Sequence, residues 1–93
     1  MPIAIRQYHV QLRGVQTMDA FSAAFNEGLI HKAGGHWEGN NWDAFHDYLS
    51  WPVEESYVLV LDGWASCSAL NDSDRAIFEE VLADNPHVSV SRT

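Results

Sequence analysis

The sequence predicts an α/β fold, a three-stranded parallel sheet packed with about three to four helices, and three observations predict it. Apolar residues that alternate or run continuously stand near the start, middle and end of the chain, the pattern of strands. Between them, apolar residues recur at spacings of three and four behind Thr, Asn or Ser residues suited to helix capping. Strands that alternate with helices over only 93 residues imply parallel pairing with right-handed crossovers. One domain spanning residues 1–93 is expected.

The elements follow in order. The first strand is expected between Ile3 and Leu12, where Ile3, Ile5, Tyr8, Val10 and Leu12 mostly alternate with polar residues. The alternation slips near Arg6–Tyr8, and Gly14 marks the turn beyond it. Thr17 is placed to cap a helix, with Asp19 in the first turn where the dipole favours a negative charge. Phe21, Ala24, Phe25 and Gly28 or Leu29 line one face, and Gly28 is the expected helix end. Residues Ile30 to Asn41 read as an irregular, glycine-punctuated loop with His31, His36 and Trp37 in it; loops of that length are often functional. Asn40 or Asn41 caps a short helix from Trp42 to Ser50, stopped by Pro52. The run YVLVL from Tyr57 to Leu61 reads as a central strand buried on both faces, closed by Asp62 and Gly63. Trp64 to Leu70 reads as a loop with one helical turn. A longer helix is expected from Ser73 to Ala83, capped by Asn71 or Ser73, with Ile77, Phe78, Val81 and Leu82 as its apolar stripe and Arg75 pairing with Glu79. Pro86 ends it, and Val88 to Ser91 is the last strand.

Charge narrows the function. Thirteen acidic residues face five basic ones, a net charge of −8. That balance disfavours direct binding to nucleic acid or to an anionic membrane, and steers towards cationic partners. The lone cysteine, Cys67, allows no disulfide within the chain and suits a cytoplasmic protein. No signal peptide is expected, since MPIAIRQYHV lacks a long apolar run and a small-residue cleavage site. No stretch reaches the 18 or so apolar residues of a membrane span.

The most informative segment is WEGNNWDAFHDYLSW, Trp37 to Trp51. On a helix, Trp42, Phe45 and Leu49 share one face with Tyr48 beside them, a face expected to bury against the sheet. Asp43, His46 and Asp47 share the other. Asp43 benefits from the helix N-terminus, whereas Asp47, one turn later, repels Asp43 with little local return. A solvated polar face is the ordinary reading of such a pair. A displayed anionic pair beside a glycine loop and Trp37 is the sharper one, because the guanidinium fork that holds phosphate holds carboxylate equally well.

These residues resemble the barstar family. The shared pattern is an aromatic, a variable residue, Gly, a variable residue, Asn, a hydrophobe, Asp, Ala, a hydrophobe, a variable residue and Asp. Here it is met without gaps by Trp37, Gly39, Asn41, Trp42, Asp43, Ala44, Phe45 and Asp47. The order of elements on either side is similar too. The resemblance implies a barstar-like fold and an inhibitor that blocks a small, basic, barnase-type ribonuclease inside the producing cell, one-to-one, from a free monomer. It implies that Asp47 takes the place of substrate phosphate, that Asp43 meets basic residues at the rim, that Trp37 stacks on a histidine of the enzyme, and that Glu80 makes a peripheral acidic contact. Glu38 and His46 stand where the family usually carries aromatics, and both fall on the surface the partner would meet. A ribonuclease of another subgroup or an interbacterial toxin is compatible with those departures.

Other chemistries fit less well. Two carboxylates on one exposed helical face have no apolar pocket to separate their pKa values, and glycosidase carboxylates flank a bond from separate elements, so an enzyme is not expected. His31 and His36, five apart in a glycine loop, match no established zinc spacing, and no metal or cofactor is expected. Cys67 lacks any flanking sequence for a nucleophile, and Trp51 and Trp64 read as core or half-exposed packing. The remaining alternative is a barstar-fold module for protein interaction, or immunity to a toxin that is not a ribonuclease.

Overall fold

A computed structural model describes residues 5–53 and 56–93. Three strands, β1 (Gln7–Gln11), β2 (Tyr57–Asp62) and β3 (Val88–Arg92), form one parallel sheet in the order β1-β2-β3. Three α-helices, α1 (Met18–Phe25), α2 (Trp42–Tyr48) and α3 (Asp72–Ala83), connect them. The α/β architecture expected from the sequence is therefore the one formed. Ile3, placed at the start of the first strand, lies outside the described residues.

Register follows the apolar pattern. Tyr8 pairs with Leu59 and Val10 with Leu61, while Leu59 pairs on its other side with Val90. These side chains point to the helical layer, and Tyr8, Val10, Leu59 and Leu61 are buried. On the opposite face His9, Gln11, Ser89 and Ser91 are exposed. The expectation that β2 is buried on both faces is corrected in part. Val60 is buried, but Val58 is only half-buried, and both lie between exposed neighbours on β1 and β3.

Capping places the helix starts. Thr17 Oγ1 accepts from the Ala20 amide at 3.1 Å, and Asn71 Oδ1 accepts from the Asp74 amide at 2.7 Å. Gly28, in contrast, does not end the first helix. Helical winding continues through a π-helical turn, Asn26–Ile30, and a 3₁₀ turn, His31–Ala33. It stops at Gly34, whose φ of 88° admits glycine readily. There the Gly34 amide donates to the His31 carbonyl and the Gly35 amide to the Ile30 carbonyl, the two bonds of a Schellman motif. Gly28 serves proximity instead: a Cβ there would come within 2.4 Å of the His9 carbonyl oxygen on β1. The irregular loop is consequently shorter than expected, residues 34–41.

The core between the helices is aromatic. Phe25 and Phe45 meet edge-on at 5.1 Å between ring centroids, Trp37 lies 4.8 Å from Phe45, and Phe78 lies 5.8 Å from Phe45. Phe78, Val81 and Leu82 are the buried residues of α3, whereas Ile77, expected in that stripe, is 37% exposed. Cys67 is buried. Trp64, in a 3₁₀ turn (Trp64–Ser66), stacks on Phe78 at 5.4 Å. Arg92 lies over the Trp64 ring and also holds Glu79 with both guanidinium nitrogens, at 2.5 and 2.8 Å. The expected pairing of Arg75 with Glu79 gives way to this one, because the planar fork of Arg92 meets both carboxylate oxygens while Arg75 lies over Trp64.

Candidate functional site

The site is the loop of residues 34–41 together with α2, and it is built from the inside out. Asn26, buried in the π-helical turn, donates from Nδ2 to the Trp37 carbonyl at 2.7 Å and accepts from the Trp37 amide at 2.6 Å. Trp37 in turn donates from its indole Nε1 to the Asn41 carbonyl at 2.9 Å. Asn41 Oδ1 accepts from the Asp43 and Ala44 amides at 2.9 and 3.3 Å, capping α2. One continuous chain of hydrogen bonds thus runs from α1's extension to the first turn of α2.

Two further contacts fix the loop. Gly39 has φ of 84°, and a Cβ there would meet Ser22 at 2.9 Å, so glycine is required for both conformation and space. On the other side the Tyr48 hydroxyl donates to the His36 carbonyl at 2.7 Å. His31 and His36 stack, with Nε2 and Nδ1 3.0 Å apart.

The buried face of α2 is set by Phe45, which lies among Phe25, Trp37 and Phe78. Trp42 is half-buried; its Nε1 donates to Asp74 Oδ1 on α3 at 3.3 Å. This face meets Phe21 and Phe25 of α1 and Phe78 of α3, in one core with the buried strand residues. The sheet reaches it through Tyr57, whose hydroxyl donates to the Leu49 carbonyl at 2.6 Å. The opposite face presents Asp43 and Asp47, both exposed. Helix α2 ends at Tyr48, and two turns, Ser50 N–H to Asp47 O and Trp51 N–H to Tyr48 O, lead out of it.

The expected residues divide by what holds them. Glu38, Asp43 and Asp47 are exposed on this surface; Gly39 and Asn41 shape it. His46 is half-buried and turns its Nε2 towards Asp84 beyond α3, at 3.9 Å. Glu80 is exposed on α3, and its carbonyl accepts from the Asp84 amide at the helix end. Trp37 is the correction. The residue is 2% exposed and its ring packs against Phe21, Phe25 and Phe45, so it offers no face for stacking on a partner. Its contribution is to position the loop. The residue that sequence reasoning missed is Asn26, whose only sequence signal is a polar residue amid the apolar stripe of a helix. Among the described residues, no group of three or more His, Cys, Asp or Glu could hold a metal ion.

A rigid helix that displays two carboxylates, on a strand-helix framework of this order, is what comparison with protein families explains. The family model described as Barstar (barnase inhibitor) matches residues 5–88. The chain belongs to the barstar family. The match takes in β1, the whole loop, α2, β2 and α3, and ends at Val88, the first residue of β3. The family is thus one described by inhibition, a binding function rather than an enzymatic one. No individual curated protein matches the chain. No helix among the described residues is long and apolar enough to cross a membrane.

Proposed function

We propose that this barstar-family chain is a cytoplasmic inhibitor, an immunity protein, for a small cationic ribonuclease of the barnase type, bound one-to-one. The observation that carries the reading is the exposure of Asp43 and Asp47, neighbours one turn apart on a helix whose other face is locked into an aromatic core. A carboxylate pair fixed in this way loses little freedom on binding, which is the main use of preorganisation. Asp47 enters the phosphate site of the enzyme and Asp43 meets cations at its edge, each replacing a phosphate oxygen with a carboxylate oxygen at a guanidinium or ammonium donor. Glu38 in the loop and Glu80 on α3, both exposed, add to the field that draws a basic enzyme in. The barnase–barstar pair is itself a standard example of that steering, and its magnitudes belong to that pair.

The burial of Trp37 favours one second reading, a cationic toxin that is not a barnase-type ribonuclease, because the stacking contact expected at position 37 is not presented.

The test is inhibition of a panel of barnase-type ribonucleases by wild type and by Asp47→Ala. Stoichiometric inhibition that Asp47→Ala loses, with its circular dichroism unchanged, supports the ribonuclease reading. A folded wild type that inhibits none of the panel overturns it in favour of the second.

A further inference from the structure

Beside Asp47, at the end of α2, the surface dips into a groove of about 410 Å³ lined by Ala44, His46, Asp47, Tyr48, Ser50 and Trp51. Its walls differ in kind. One is the Asp47 carboxylate. Another is the indole of Trp51, which is 48% exposed although it is among the largest apolar side chains. Tyr48 supports that indole edge-on, with 4.8 Å between ring centroids, and is itself pinned through its hydroxyl to the His36 carbonyl. The platform is therefore held from beneath while its outer face stays open.

No arginine or lysine among the described residues lines the groove. Among the described residues, the arginines recorded over aromatic rings lie over Tyr8 and Trp64. His46 is the one basic residue in the lining, and its Nε2 turns towards Asp84. The groove also sits at the C-terminal end of α2, where the helix dipole favours positive charge. An anion beside an exposed indole fits one side chain above others: a guanidinium, which lies flat on an aromatic ring while its edge hydrogen-bonds a carboxylate. Lysine supplies charge without a plane to stack.

We propose that the groove formed by Asp47, Tyr48 and Trp51 takes the guanidinium of an arginine on the partner, and that Trp51 is the aromatic contact of this interface. The proposal rests on the reading of the Asp43–Asp47 face as the partner surface. It gives the interface an exposed aromatic side chain, which buried Trp37 does not supply.

Two measurements test it, and they fail separately. In the first, a blocked tetra-arginine peptide and its tetra-lysine counterpart are titrated into the ¹⁵N-labelled full chain at equal ionic strength. The Trp51 indole N–H resonance is expected to move saturably and further with arginine. Trp51→Ala is expected to reduce arginine binding to the lysine level, while Trp51→Phe retains most of the difference. Equal response to both peptides, or a Trp51 indole that does not move, overturns the proposal whether or not any ribonuclease is inhibited. In the second, any ribonuclease from the panel that wild type inhibits is bound by Trp51→Ala about five- to thirtyfold more weakly, the range for a desolvated cation–π contact. Unchanged affinity of Trp51→Ala for an enzyme that Asp47→Ala no longer inhibits overturns the groove and leaves the inhibitor reading standing.

Discussion

Asn26 and the backbone of Trp37 close a two-way hydrogen-bonded pair, 2.7 Å in one direction and 2.6 Å in the other, eleven residues apart and buried. A buried carboxamide that satisfies both backbone polar groups of one residue does for a loop what a ladder does for a strand. Removing it leaves the Trp37 amide and carbonyl buried and unpaired. Asn26→Ala is therefore expected to cost about 2–4 kcal/mol in urea unfolding. It should also raise amide exchange in residues 37–41 and weaken partner binding, although Asn26 itself is buried.

The close approach of Gly28 to β1 makes a prediction against helix propensity. By propensity alone, Gly28→Ala would stabilise a helical position by about 1 kcal/mol. The added Cβ would meet a backbone oxygen at 2.4 Å, which no side-chain rotation relieves. A net loss of about 1–3 kcal/mol is expected from thermal or urea denaturation.

The two faces of α2 separate stability from binding. Phe45→Ala empties the middle of the aromatic core and should cost about 3–5 kcal/mol. Trp42→Ala, at a half-buried position, should cost less, about 2–3 kcal/mol. Asp43→Ala and Asp47→Ala should each stay within about 0.5 kcal/mol of wild type. Chemical denaturation of the four variants checks the ordering.

Acid should release one ion pair in a defined direction. The hydrogen bond from Arg92, and its charge, hold the Glu79 carboxyl below its ordinary 4.5. A carboxyl depressed in the folded state contributes stability that is complete above the ordinary value and is lost as pH falls through the folded one. Both partners are about a third or more exposed, so screening limits the contribution to about 0.5–1 kcal/mol. Glu79→Gln should therefore be less stable than wild type at pH 6, and the two unfolding midpoints should converge as pH falls below the ordinary 4.5 and through the depressed folded value. Asp62, held below its ordinary 3.8 mainly by hydrogen bonds from His9 and Thr93, adds loss of the same sign in the same acid range.

Much of the fold was legible because it was written locally. Thr17, Asn41 and Asn71 cap their helices through neighbours two or three residues away, and the run at Tyr57–Leu61 has only one place in a three-stranded sheet. What was not legible depended on partners distant in sequence. Gly28 looks like a helix end until β1 is seen against it. Glu79 looks paired to Arg75 until β3 brings Arg92 across. The site divides the same way. Asp43 and Asp47 stand on the polar face that helical spacing gives them. An aromatic in a glycine loop looks like a stacking surface, and only the assembled core, with Asn26 at its edge, shows Trp37 to be inside it.

The central claim is that Asp47 occupies a phosphate site. The most direct measurement is calorimetric binding to an inhibited ribonuclease, with and without a saturating nucleotide monophosphate, for wild type and Asp47→Asn. The account predicts one-to-one binding that the nucleotide weakens in proportion to its own occupancy. It also predicts a loss of about thirtyfold or more for Asp47→Asn, the range of an interface hot spot. Binding that ignores the nucleotide and survives Asp47→Asn unchanged would contradict it.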